Sequence, residues 1–145
     1  IHAVCNELAE GQRVAIRSWA DDDCVIMTDM QLLKVVLRNL LDNALKYSPS
    51  DAVVQVTLEP LDAQGRWSLR VSNPAGRAGL PDPYRVFEKY YRSPKAGHRS
   101  GTGLGLYLVQ GLVKVLNGEL RYTPGDNQAH FTLTLPAQTT GATSA

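Results

Sequence analysis

Two carboxamides, Asn39 and Asn43, stand four residues apart in the segment NLLDNALKYS, and Lys46 follows three residues after the second. On a helix at 100° per residue, Asn39, Asn43 and Lys46 fall within about 60° of one another. They share that arc with Leu32, Val35 and Val36, apart from the polar stripe of Gln31, Lys34, Arg38 and Asp42. A half-buried carboxamide without a partner costs about 1–3 kcal/mol, so both amides need one. A nearby loop backbone is one candidate. The other is a neutral oxygen site for a divalent ion, with Lys46 supplying charge to a phosphate. Mg²⁺ commonly takes few protein ligands and completes its shell with water and phosphate oxygens.

A second candidate is Gly101-Thr102-Gly103-Leu104-Gly105-Leu106, which opens a helix. Glycines at a helix start let backbone N–H groups approach an anion, and the helix dipole favours negative charge there. They also serve close helix packing, so alone they decide nothing. The spacing G-x-G-x-G after a polar loop is not a dinucleotide fingerprint, and the chain has no P-loop. Just upstream, Arg85, Lys89, Arg92, Lys95 and Arg99 stand against Asp82 and Glu88. Such a run is ordinarily a solvated face; beside a glycine-rich helix start, a polyphosphate explains it better.

These residues need elements to hold them. Residues 2–9 read as a short helix, and 13–18 and 24–27 as strands around Asp21-Asp22-Asp23. Thr28 to Gln31 has the form of a capping box, with Thr28 as the cap of a helix that runs to about Tyr47 and stops at Ser48-Pro49. Alternation predicts strands at 54–58 and 67–72 about a turn at 62–65. Residues 73–101, with four prolines and four glycines, have no sustained period apart from a helical piece near 85–91. A loop this long in a small domain is usually functional or mobile. A helix from about Thr102 to Asn117 follows, closed by Gly118 as a left-handed cap. Strands at 119–123 and 129–135 flank the turn Pro124 to Asn127. The small, polar segment 137–145 reads as a disordered tail. Helices alternating with paired strands give an α/β (α+β) two-layer fold, one mixed sheet of about five strands under about three helices.

The segments together resemble the catalytic ATP-binding domain of bacterial sensor histidine kinases, in the wider group that includes gyrase and Hsp90. Asn39 to Ser48 is similar to that family's N box, Phe87-Glu-Lys-Tyr-Tyr-Arg92 to its F box, and Gly101 to Leu106 to its G2 box. The resemblance spans about Val4 to Leu135. It implies the Bergerat-type ATP-binding fold over residues 1–136, with an ATP lid at about 82–100. It also implies Asn43 as Mg²⁺ ligand, Asn39 supporting the metal–phosphate site, Lys46 on phosphate and Tyr47 lining the nucleotide pocket. Arg92 would meet the terminal phosphate, and Gly101, Thr102, Gly103, Leu104 and Gly105 would hinge the lid and contact phosphate. In the hydrolytic relatives the position of Asn39 is a Glu that activates water. Asn cannot take a proton, which suits phosphoryl transfer to a partner over hydrolysis.

The family's G1 box, usually D-x-G-x-G, departs from the pattern. By strand register Asn73 takes the place of the Asp that accepts from the adenine amino group, and the loop through Gly76 and Gly79 is two residues longer. This departure motivates the alternative of a degenerate, non-catalytic domain that regulates another kinase by contacts. The only histidines are His2, His98 and His130, none in the family's phosphoacceptor context, so no catalytic residue is assigned within this chain. The resemblance further implies a separate dimerisation and phosphoacceptor domain of the same protein, a response regulator reached through it, and a cytoplasmic domain of an inner-membrane-anchored parent.

Composition bounds this reading. The chain has 145 residues with a formal charge of +1, made of an acidic first part and a basic second part. Residues 1–63 hold five bases against ten acids, and residues 64–145 ten bases against four. That split argues against a nucleic-acid-coating surface and leaves room for a local anion site. An apolar fraction of 43% suits a globular domain with its own core. Cys5 and Cys24 form no CxxC pair and read as buried thiols. No run of about 20 apolar residues that could span a bilayer is present, so no direct membrane contact is expected. The first residue is Ile, which suggests a piece of a longer protein.

Overall fold

The computed structural model describes residues 2–18, 28–59, 62–76, 79–88 and 105–136. The elements run α1 (His2–Ala9), β1 (Val14–Ser18), α2 (Met30–Tyr47), β2 (Val54–Glu59), β3 (Arg66–Pro74), α3 (Gly105–Val115), β4 (Glu119–Gly125) and β5 (Gln128–Pro136). The strands form one sheet in the order β1-β2-β3-β5-β4. β1 and β2 are parallel across the α2 crossover, and the other pairs are antiparallel. This is the expected two-layer fold. None of the described helices is long and apolar enough to cross a membrane.

Alternation along the strands decides the layers. Val54, Val56 and Leu58 of β2, Trp67, Leu69 and Val71 of β3, and Ala129, Phe131, Leu133 and Leu135 of β5 are all buried. Their neighbours Gln55, Arg70 and Thr132 lie on the other face, exposed or half-buried. Over the apolar face sits α2, with Leu33, Val36, Leu37, Leu40, Leu41 and Ala44 buried, and α3 with Val109 and Val113. Cys5 of α1 is buried in the same core, and burial pushes its thiol up to about 11.

Several boundaries differ from the sequence reading. The cap of α2 is Asp29, not Thr28: its carboxylate accepts from the backbone N–H of Gln31 and Leu32 at 3.0 and 3.1 Å. Either side chain suits a cap, and a shorter reach to the first two free N–H groups favours Asp29. At the end of α3 the left-handed residue is Asn117 (φ 62), not Gly118. The N–H of Gly118 reaches Val113 O at 2.9 Å and that of Asn117 reaches Lys114 O at 3.0 Å, the paired bonds of a Schellman motif. Pro124 and Gly125 belong to β4, and the hairpin turn narrows to Asp126 and Asn127, both with positive φ. Such two-residue turns match the twist of the strands they join. Residues 83–87 form turns. The strand expected at 24–27, the rest of the helical piece to Tyr91 and the tail 137–145 lie outside the described residues.

Candidate functional site

The C-terminal half of α2 carries four of the candidate residues. Asn39, Asn43, Lys46 and Tyr47 are all half-buried, between the core stripe and the solvent stripe as the helical arithmetic predicts. The two amides are held differently. Asn39 donates from Nδ2 to Val35 O at 2.7 Å, one turn back on its own helix. That bond engages one of its two N–H donors and leaves Oδ1 as its acceptor atom. Asn43 makes no side-chain hydrogen bond among the described residues. Neither amide bonds a loop backbone among the described residues: Asn39 turns to its own helix, and Asn43 has no side-chain partner there. The Lys46 ammonium stands 5.8 Å from the centroid of the Tyr47 ring, so the charge and the aromatic face occupy one neighbourhood.

Asn73 enters this neighbourhood from the sheet. It lies in β3 opposite Ala129 and continues the helix-facing row of Trp67, Leu69 and Val71. The row is apolar until Asn73, which is 4% exposed. Its Nδ2 donates to Pro74 O at 2.9 Å. That bond engages an N–H of the amide and leaves Oδ1 as its acceptor atom. On the opposite face of β3, Ser72 Oγ meets His130 Nδ1 at 2.6 Å. Burial, then the nearby Arg70 charge, holds the His130 imidazole below its ordinary pKa. His130 thus braces β3 beside Asn73.

A test of this geometry is Asn73→Asp. The substitution would place a carboxylate oxygen against Pro74 O in a buried site, raising its pKa above the unfolded value of about 3.9. A raised carboxylate pKa leaves stability intact at low pH and removes it as pH rises through the folded value. The variant is expected to melt close to wild type near pH 4 and to lose about 1–3 kcal/mol by pH 8. A difference that stays flat with pH would show that the amide donor is not what this site requires.

Beyond Asn73 the chain turns back over the end of α2. A Cβ on Gly76 would stand 2.5 Å from Tyr47 O, closer than real contacts allow, so the loop rests directly on the helix terminus. Gly79, with φ +74, closes the turn by donating its N–H to Gly76 O at 3.1 Å. The next segment is fastened to the sheet. Val86 is buried, Phe87 meets Phe131 edge-on at 6.2 Å, and Tyr122 stacks on Phe131 at 4.8 Å while donating to Pro81 O at 3.0 Å. Residues 79–88, which include the start of the expected lid, are therefore anchored at their base. The guanidinium of Arg85 pairs with Glu88 at 3.0 Å, both exposed.

Gly105 begins α3, and a Cβ there would meet nothing within 4 Å among the described residues. Arg92, Gly101, Thr102, Gly103 and Leu104 lie outside the described residues. A cleft of about 760 Å³ at the end of α2 includes Lys46 and Gly76 in its lining, but neither the amides nor Asn73. The sequence reading did not single out Arg13, which also lines this cleft and whose guanidinium reaches three carbonyls around the helix end. Nothing in the local pattern marks it, since its partners lie 32 to 39 residues away.

Oxygen is what the site offers a metal: the Asn43 amide and Asn39 Oδ1. That donor set fits a hard divalent ion such as Mg²⁺, provided phosphate and water complete the shell.

The family model for histidine kinase-, DNA gyrase B-, and HSP90-like ATPases matches residues 28–139. Sensor histidine kinase CusS of Escherichia coli (strain K12) is 31% identical over 132 residues, covering 90% of this chain and 27% of CusS. The mycobacterial sensor histidine kinase MprB superposes with a TM-score of 0.75 at 25% identity, covering 94% of this chain and 93% of the MprB chain. Full-length ShkA, solved in complex with AMPPNP, shares the fold with a TM-score of 0.77 at 22% identity, over 93% of this chain and 29% of ShkA. The chain thus spans about a quarter of the length of the curated relative CusS.

Proposed function

This chain belongs to the family of histidine kinase-, DNA gyrase B- and HSP90-like ATPases, and we propose that it presents Mg-ATP for γ-phosphoryl transfer within a two-component sensor histidine kinase. The acceptor is a histidine on a separate dimerisation and phosphoacceptor domain of the same protein, and a response regulator lies downstream. The observation that carries this reading is the Asn43 amide, half-buried on the N-box helix without a partner among the described residues.

In this reading Asn43 and Asn39 hold Mg²⁺, which when bound neutralises charge on the phosphates. Lys46 attracts the phosphates, Tyr47 lines the base, and Asn73 Oδ1 accepts from the adenine amino group. Gly76 and Gly79 shape the loop beneath the base, Gly101 to Gly105 offer backbone N–H groups to phosphate, and Arg92 meets the terminal phosphate. Residues 1–136 act as one ATP-binding unit with the lid at about 82–100. Position 39 is an amide, which cannot take a proton, so water is not activated there. The work of the domain is positioning and electrostatics.

The partner domain would dock on α3, which lies along α2. Leu108 and Val115, seven residues apart on one stripe, are 54% and 66% exposed. Exposed apolar stripes of this kind suit a protein contact.

Calorimetry with ATP, with and without Mg²⁺, tests the nucleotide reading; absence of Mg-dependent binding would overturn it. Leu108→Asp tests the docking. In the full-length protein it is expected to cut histidine phosphorylation at least tenfold with ATP affinity unchanged, and normal phosphorylation would refute the assigned face.

A further inference from the structure

We propose that Arg13, which lies outside the predicted nucleotide contacts, is a positioning residue for the base end of the groove, an inference that rests on the nucleotide reading above. Arg13 precedes β1, and its backbone carbonyl accepts from Val54 N–H at 2.8 Å, tying it to the start of β2. Its guanidinium is turned towards the end of α2. One terminal nitrogen donates to Pro49 O at 2.8 Å and to Ala52 O, and the other donates to Leu45 O at 3.1 Å. Leu45 belongs to the last turn of the helix that carries Lys46 and Tyr47, while Pro49 and Ala52 belong to the link into β2.

Two physical consequences follow. The last carbonyls of a helix have no partner within it, and a cation there satisfies them and opposes the negative end of the dipole. A planar, five-donor guanidinium can also bridge several carbonyls at fixed angles, which an ammonium cannot reproduce. Arg13 therefore fixes where the α2 terminus ends in space.

That position reaches the base site through one contact. Tyr47 O is the atom on which the Gly76 backbone rests, with no room for a Cβ between them. Gly76 is three residues beyond Asn73, and the intervening Ala75 N–H is held from the other side by Asn127 O at 2.9 Å. The loop is thus seated between the hairpin turn and the helix end. Releasing the helix end lets Tyr47 and the Gly76 loop move relative to Asn73, while Asn39 and Asn43, one to two turns back, stay held by the core stripe. Arg13 should then matter more for the adenine end than for the phosphates, of whose assigned residues on α2 Lys46 alone shares the last turn.

The test compares Mg-AMPPNP with Mg-tripolyphosphate, which lacks the base, on wild type, Arg13→Lys and Arg13→Ala, each well below its melting temperature. Expected in both variants is a rise of about tenfold in the Kd for the nucleotide with a change of less than about threefold in the tripolyphosphate Kd, the share that Lys46 on the same turn can lose, so that keeping the charge alone gives no rescue. Should Arg13→Ala fail to fold, Arg13→Lys carries the comparison. Equal weakening of both ligands, no weakening of either, or full rescue by lysine overturns the assignment to Arg13. A wild type that binds neither ligand instead overturns the nucleotide reading, and the Arg13 inference with it.

Discussion

An Asn43→Ala variant is expected to lose about 10–150-fold in Mg-ATP affinity, the 1.5–3 kcal/mol of a polar contact to a charged group, while melting within about 2 °C of wild type. The two halves of that expectation come from different observations. Asn43 has no described side-chain partner, so truncation breaks no internal hydrogen bond, and alanine is the better helix former by about 0.5 kcal/mol. Stability should therefore hold or rise slightly. Affinity should fall because no other described side chain replaces the lost oxygen except Asn39, whose Nδ2 already bonds Val35 O and whose Oδ1 cannot occupy both places. Calorimetric titration beside a thermal melt checks both at once. Retained affinity would remove Asn43 from the metal site, and a large drop in melting temperature would give the amide a structural role instead.

The second large effect concerns stability. Gly118→Ala is expected to cost about 1–3 kcal/mol, seen as a fall of about 3–10 °C in melting temperature. A Cβ at this position would stand 2.2 Å from Leu135 Cδ2 and 2.7 Å from Thr134 O. The leucine methyl can rotate away, but the carbonyl belongs to the backbone of β5, whose pairing with β3 and β4 fixes it. The chain leaves α3 through Asn117 and passes directly against that strand, so only a residue without Cβ fits. Gly105→Ala is the matched control. With nothing within 4 Å of its Cβ among the described residues, it should melt within about 2 °C of wild type. If the two variants were equally destabilised, the close approach of Gly118 to β5 would not be the cause.

These two predictions divide along the same line as the legibility of the sequence. The amides could be read because a helix repeats every 3.6 residues. The spacing 39, 43, 46 puts them on one arc whatever surrounds it, and Ser48-Pro49 marks where the arc ends. The strands at 54–58 and 67–72 were equally plain from alternation. The small errors fell where several residues could fill one role: Thr28 or Asp29 as cap, Asn117 or Gly118 as the left-handed residue. In both pairs neighbouring contacts decide, and at the end of α3 the demand for a missing Cβ at Gly118 pushes the positive φ onto Asn117.

The sequence by itself determined the type of chemistry: neutral amides, a lysine and glycine-rich turns in the order of a nucleotide-binding domain, on helices and strands whose periods are local properties. Only the tertiary structure decided how those parts bear on one another. It oriented the Asn73 amide towards Pro74 O, set Gly76 on Tyr47 O, ordered the strands β1-β2-β3-β5-β4, and brought Arg13 under the end of α2. The reason is range. Periodicity and caps act over a few residues, whereas a hydrogen bond such as Arg13 to Ala52 joins groups 39 residues apart, and its partner exists only once sheet and helix have closed on the core.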